Sequence, residues 1–211
     1  NGRGHFDAAV FGLTRDLKNG LATPPPAHTP PNTPWGQYTE IDRKAYGLRL
    51  SGDQGFPVGA GTVRLVGGID LQQMKDDRQT WESFAGKPDT VVLLNQLETV
   101  TEVGPFLQAH WTPTQALAVS GGVRYDAVTF DVEDDYLGDG TDNSGNRTMS
   151  AWSGNVGLAL ISNPKIGPYV NLSTSFETPT TTELANQPNS TGGFNDQLDP
   201  QHALNAEGGI R

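Results

Sequence analysis

The chain has 211 residues, 35% of them hydrophobic and 18% charged, with a net charge of −10 and a mean hydropathy of −0.47. That charge, without a basic stripe, argues against nucleic-acid binding, which needs clustered Lys and Arg to displace counterions. The absence of cysteine excludes a disulfide scaffold, a thiolate zinc site and a Cys nucleophile. No run approaches the roughly 18 apolar residues of a membrane helix, so the membrane class left open is the β-barrel, whose strands alternate and stay hydrophilic on average. The chain begins at Asn1 without Met, basic n-region or apolar h-region, and stops at Arg211 inside a strand pattern. Both features suggest a piece of a longer protein.

Period-2 alternation recurs along the chain, and a capped 3.6-period pattern over three turns occurs nowhere. His5–Arg15 is the first, weaker strand pattern. Next, Tyr46, Leu48 and Leu50 face away from Arg43, Gly47 and Arg49. From Val63 the apolar face is Val63, Leu65, Ile69 and Leu71, opposite Arg64, Asp70 and Gln72. Val103, Leu107 and Trp111 oppose Glu102, Gln108 and His110. The clearest pattern runs from Leu117 to Phe130, with Val119, Val123 and Tyr125 on one face and Ser120, Arg124 and Asp126 on the other. From Gly154 the apolar face is Val156, Leu158 and Leu160. From Tyr169, the apolar face of Val170, Leu172 and Phe176 opposes Asn171, Ser173 and Glu177. His202–Arg211 is the last pattern.

These patterns predict about eight strands, many of ten residues or more, longer than the 5–6 typical of globular sheets and close to the 9–11 of membrane strands. Short turns are predicted at Gly52–Gly61, Thr112–Gln115 and Asn163–Gly167. Long polar loops are predicted at Lys18–Thr39, Asp77–Gln96, Asp134–Thr148 and Thr178–Gln201. The alternation of short and long connections fits an outer-membrane barrel with long loops at one end. Pro24–Pro26 and Pro30–Pro31 make the first long loop stiff and non-helical.

Several stretches resemble the TonB-dependent outer-membrane receptor family. They are Phe11-Gly12-Leu13-Thr14-Arg15-Asp16-Leu17, Phe106-Leu107-Gln108-Ala109-His110-Trp111 and Gly121-Gly122-Val123-Arg124-Tyr125-Asp126. The most specific is Ser175-Phe176-Glu177-Thr178-Pro179-Thr180-Thr181-Thr182-Glu183-Leu184. It is followed by Leu198-Asp199-Pro200 and Asn205-Ala206-Glu207-Gly208-Gly209-Ile210-Arg211, with Gln201 in place of the family's usual Glu. The resemblance covers nearly the whole chain. It implies an all-β fold: residues 1–211 as a partial antiparallel transmembrane β-barrel, a middle slice without the plug or either barrel end. It further implies import of an iron siderophore or related metal chelate across the bacterial outer membrane. The implied partners are the TonB complex, acting through a plug segment not contained here, the chelate, and outer-membrane lipid and lipopolysaccharide. No cofactor is expected.

Inward polar positions are the candidate ligand contacts: Arg43, Arg64, Asp70, Gln108, Arg124, Asp126 and Glu177. They would line the lumen, or hold a plug. Charges there stay wet, whereas Arg or Lys on the lipid face would cost about 2–4 kcal/mol near the midplane. Trp35, Tyr38, Trp81, Phe84, Tyr136, Trp152 and Phe194 lie in or near the long loops and could grip a flat chelate, form an interface girdle or pack the loops. Trp111 and Tyr169 suit a girdle at the short-turn end. The acidic run Asp131, Glu133, Asp134, Asp135, Asp139 and Asp142 is either a solvated loop or a calcium site, and its spacing fits an EF-hand poorly.

Enzyme readings lack support. His5, His28, His110 and His202 are scattered, no His-Glu-x-x-His occurs, and Gly55, Gly59 and Gly61 open no helix. Two other readings remain: a self-contained eight-stranded barrel with a structural or adhesive role, and a soluble β-sandwich that binds glycans.

Overall fold

The computed structural model describes residues 4–22, 36–163, 166–185 and 193–211. The strands are β1 (His5–Ala22), β2 (Gly36–Val58), β3 (Gly61–Phe84), β4 (Lys87–Thr114), β5 (Leu117–Asp134), β6 (Gly145–Leu160), β7 (Pro168–Glu177) and β8 (Gln201–Ile210). One short helix, α1 (Thr181–Leu184), lies between β7 and β8. All eight strands form one antiparallel sheet in sequence order, with β1 and β8 at its edges. A single sheet excludes the two-sheet sandwich.

The two faces follow from register. The pairs Arg43↔Asp76, Arg49↔Asp70, Gln72↔Glu102, Phe106↔Arg124 and Gly122↔Asn155 place the polar sets of successive strands on one side. The opposite face carries Val10, Leu65, Leu107, Val123, Val156 and Leu204, all exposed. Isolated apolar side chains are ordinary on a protein surface, but a band running across eight strands requires an apolar environment. Tyr46, which donates to Gln73, and the tilted pair Tyr125–Trp152 at 5.1 Å border this band toward the long-loop end. Trp111 borders it at the other end, on the outer face as a girdle residue would lie.

The polar interior explains where the predicted boundaries fail. Asp77–Gln96 is not a loop. β3 continues to Phe84 and β4 begins at Lys87, so the connection is the two-residue turn Ala85-Gly86, with φ of 51° and 77°. Positive φ at both central positions belongs to a tight hairpin turn matched to strand twist. The run reads as a loop because it is polar. It forms strands because the inward side chains in and beside it are partnered: Asp76 with Arg43 of β2, Arg78 with Glu98 of β4, and Gln96 with Glu98 along β4. Gly52–Gly61 likewise shrinks to Gly59-Ala60, and Thr112–Gln115 to Gln115-Ala116. β1 reaches Ala22, well past Arg15. The proline-rich segment of 23–35, with Trp35, lies outside the described residues.

Two faces also differ from the pattern. Tyr169 shares the polar face with Asn171 and Glu207, and donates to Glu207 at 2.7 Å, so it is not a lipid-facing girdle residue. Phe176 packs against an inner apolar cluster instead of facing lipid. The β6–β7 ladder ends at Gly154↔Thr174, and beyond that point the end of β7 is free of β6.

Candidate functional site

On the polar face near the long-loop end, the β7–β8 connection folds back onto the wall. Its fold is encoded locally. Thr180 caps α1: its hydroxyl accepts from the Glu183 amide at 3.3 Å, and the Glu183 carboxylate accepts from the Thr180 amide at 2.8 Å. This Thr-x-x-Glu reciprocity is a capping box, a helix signal present in the sequence but missed because the helix is one turn long. Leu184, fully buried, then enters a cluster with Val128, Phe130 and Met149, joined by Val100, Phe176, Phe194 and Leu198. Burial of each such side chain stabilises by roughly 1.5–3 kcal/mol, which outweighs the ordering of one turn.

Polar anchors complete the fold-back. Arg78 Nη1 donates to Thr182 Oγ1 at 2.8 Å. Arg147 donates to the Asp196 carbonyl and pairs with Asp199 at 3.0 Å. The Gly193 amide donates to Asn143 Oδ1 at 2.6 Å, tying this connection to the β5–β6 loop. Position 145 is glycine where the Phe194 ring lies against the backbone, leaving no room for a Cβ.

Under the 178–182 segment lies a recess of about 730 Å³. Arg43, Arg78, Arg124, Asp126, Glu102 and Glu177 supply its charges, Thr180–Thr182 its hydroxyls, and Met74, Val100, Val128, Phe130 and Phe176 its apolar floor. Arg43 grips Asp76 in a bidentate pair, 2.8 and 2.6 Å. Asp76 is fully buried, so the pair holds its charge away from water. Arg78 Nε lies 3.1 Å from Glu98 Oε1 without hydrogen-bond alignment, and Gln96 donates to the same oxygen at 2.6 Å. Arg124 donates to Asp126 at 2.6 Å and to Asp70 at 2.6 Å, and Asp70 also accepts from Arg49 at 2.5 Å. Guanidinium and carboxylate thus alternate over the floor of the recess, in a form suited to a polar ligand with an apolar body.

The structure brings four of the sequence-predicted residues together here: Arg43, Arg124, Asp126 and Glu177. Asp70 joins through Arg124, and Gln108 lines an adjoining hollow of about 490 Å³ with Arg49 and Asp70. Arg64 lies apart at the short-turn end, 2.9 Å from Asp53. Trp81 is on the outer face beside Tyr38, with ring centroids 6.4 Å apart, beyond the apolar band. Tyr136 sits in the β5–β6 loop against Gly138, and Phe194 packs on the inner cluster. Trp152 faces outward and Phe84 is exposed at the β3–β4 hairpin. Asp76, Arg78, Gln96 and Glu98 are not among the sequence-predicted site residues: Arg78 and Gln96 fall within the predicted loop Asp77–Gln96, and Asp76 and Glu98 flank it. Continued alternation past Gln72 was the signal.

The acidic loop is occupied by its own turns. Asp134 Oδ2 accepts from the Asn143 backbone and side chain, Asp139 from the Thr141 amide, and Asp142 from the Ser144 amide. Hydrogen bonds from Ser144 hold the Asp142 carboxyl below its usual range. Among the described residues no group of three or more His, Cys, Asp or Glu side chains is arranged to hold a metal ion. A wider cleft of about 1030 Å³ lies at the short-turn end, lined by His110, Ser120, Tyr169 and Glu207 among others, with the Tyr169–Glu207 hydrogen bond on its wall.

Residues 3–211 match the family described as TonB dependent receptor-like, beta-barrel. The chain belongs to the TonB-dependent receptor family. Solved structures agree on the fold. The ferric citrate transporter FecA, in its unliganded form, superposes with a TM-score of 0.76 at 11% identity, over 99% of this chain and 29% of that one. The copper transporter OprC gives 0.73 at 18% identity, over 97% and 33%. The siderophore receptor PiuA from Acinetobacter baumannii gives 0.64 at 14% identity, over 83% and 30%. The chain therefore spans about a third of the length of these TonB-dependent receptors. Its eight-stranded sheet corresponds to part of their barrel wall. Membership in this family implies an outer-membrane location.

Proposed function

We propose that this chain supplies part of the barrel wall, and part of the external loops, of a receptor that actively imports a ferric siderophore or related metal chelate. The observation that carries this reading is the recess of Arg43, Arg124, Asp126 and Glu177 beneath the fold-back of 178–182, on the polar face and at the long-loop end. A ligand arriving from outside meets this end first, and its apolar and polar parts find matching surfaces there. The chemistry is binding and passage, with no catalytic step. Residues 1–211 form a partial barrel domain in this reading. Energy coupling to the TonB complex runs through a plug segment that the chain does not contain. Lipid and lipopolysaccharide cover the apolar outer face, and the net charge of −10 leaves no role for nucleic acid.

The test is uptake of radiolabelled ferric chelates by iron-limited cells that carry or lack the gene. Loss of uptake of at least one chelate on deletion, restored by the wild-type gene and weakly or not at all by Arg43→Ala or Glu177→Gln receptors, is expected. Unchanged uptake of every metal chelate on deletion would overturn the reading.

A further inference from the structure

The arginines in and beside the recess are matched by carboxylates. Arg43 holds Asp76, Arg78 lies against Glu98, and Arg49 and Arg124 share Asp70, with Asp126 also on Arg124. Four guanidiniums therefore meet four carboxylates. Glu102 and Glu177 remain: both line the recess, and neither side chain has a hydrogen bond or ion pair to any described residue. Arg15, opposite Arg43 on edge strand β1, lies outside the lining.

This balance depends on one position. Arg124 is on β5 and Asp70 on β3, so the bond between them must cross β4. The residue of β4 that pairs with Asp70 is Gly104. A Cβ there would collide with the Arg124 guanidinium and stand 2.8 Å from Asp126 Oδ1. Even the methyl of an alanine there would require the Arg124 guanidinium to move. With a side chain at 104, Arg124 must leave the position from which it reaches Asp70.

We propose that Gly104 is a specificity-determining residue: the gap it leaves in β4 lets Arg124 reach Asp70, so that the recess presents unpaired carboxylates and selects a ligand group carrying positive charge. The proposal rests on the reading that the recess contacts the imported ligand. It names the ligand class: a chelate bearing an ammonium or guanidinium group, in preference to a polyanionic one.

The experiment reads the charge of the recess without any chelate. With the unsubstituted receptor as background, Met74→Cys places a thiol on the recess lining of the whole receptor in outer-membrane vesicles. Its reaction rates are measured with a trimethylammonium and a sulfonate methanethiosulfonate, and their ratio is compared with that for a free thiol in solution. The ratio should favour the cationic reagent by about fivefold, and Glu102→Gln or Glu177→Gln should each lower it about twofold. Gly104→Ala, which changes no charge, should lower it comparably, and should have no such effect in an Arg124→Gln background. A ratio at or below that of the free thiol overturns the proposal, as does a ratio that Gly104→Ala leaves unchanged in the folded receptor. The two glutamate variants keep the test decisive should Gly104→Ala fail to fold, since neither carboxylate holds a partner. Chelate uptake unchanged by deletion of the gene would overturn the transport reading and leave this ratio standing, and an inverted ratio would do the reverse.

Discussion

At the scale of single residues, buried charge separates structural from exposed positions. Asp76 is fully buried, and its bidentate partner Arg43 is partly exposed. Removing one member of a buried pair leaves the other charge unpaired at a cost of about 3–5 kcal/mol. Arg43→Met should therefore lower the Tm of the detergent-solubilised receptor markedly. The same change at Arg64, which is over half exposed and paired with Asp53 at the short-turn end, should leave the Tm nearly unchanged. The cap of α1 makes a second prediction, in pH. The Thr180 amide and hydroxyl bond the Glu183 carboxylate and hold it below its ordinary value of 4.5. A depressed carboxyl contributes stability that is fully present above the unfolded value and is lost as pH falls through the folded one. Amide exchange at Glu183 and Leu184 should accelerate on acidification below about pH 4.5, beyond the intrinsic pH trend, and Glu183→Gln should remove that dependence.

At the scale of elements, the β3–β4 hairpin is the clearest case of strands outlasting their sequence signal. Strands of 24 and 28 residues run beyond the apolar band, and the turn between them leaves Ala85 at φ 51°. A left-handed conformation costs an ordinary L-residue roughly 1–2 kcal/mol, and Asn bears it better than Ala. Ala85→Asn should slow amide exchange in the flanking rungs, Ser83↔Pro88 and Phe84↔Lys87, by several-fold, without changing ligand uptake. Of the four predicted long loops, the 135–144 and 178–200 segments are long connections, and the first, at 23–35, lies outside the described residues. At Asp77–Gln96, projecting strands take the place of a loop.

At the scale of the whole molecule, an open sheet with an apolar outer face cannot bury that face by itself. β1 and β8 each pair with one neighbour only, and Phe6, Val10, Leu204 and Ile210 on those edge strands are more than 70% exposed. Unpaired edges beside exposed apolar side chains are sites of association. Residues 1–211 expressed alone in water should aggregate, or give a broad thermal transition with no cooperative unfolding by circular dichroism. A sharp detergent-free melt of a monomer would contradict the architecture.

Legibility differed between the wall and the site. Period-2 alternation, and motifs such as Arg124-Tyr125-Asp126 and Pro179-Thr180-Thr181-Thr182-Glu183-Leu184, disclosed the strands, the inward face and the family from sequence alone, because side-chain direction in a strand is set by backbone geometry at each residue. Arg43, Asp70, Arg124 and Asp126 could be placed inward for the same reason. What they bond was not legible. The Arg124–Asp70 bond joins residues 54 positions apart, across a strand whose only contribution is a missing side chain at Gly104. Nor was the fold-back that puts Leu184 on Val128, Phe130 and Met149, or the outward aim of Trp81. Strand direction is a local property. Partnership across strands depends on register, on the gaps glycines leave and on where a connection docks, and only the assembled sheet determines these.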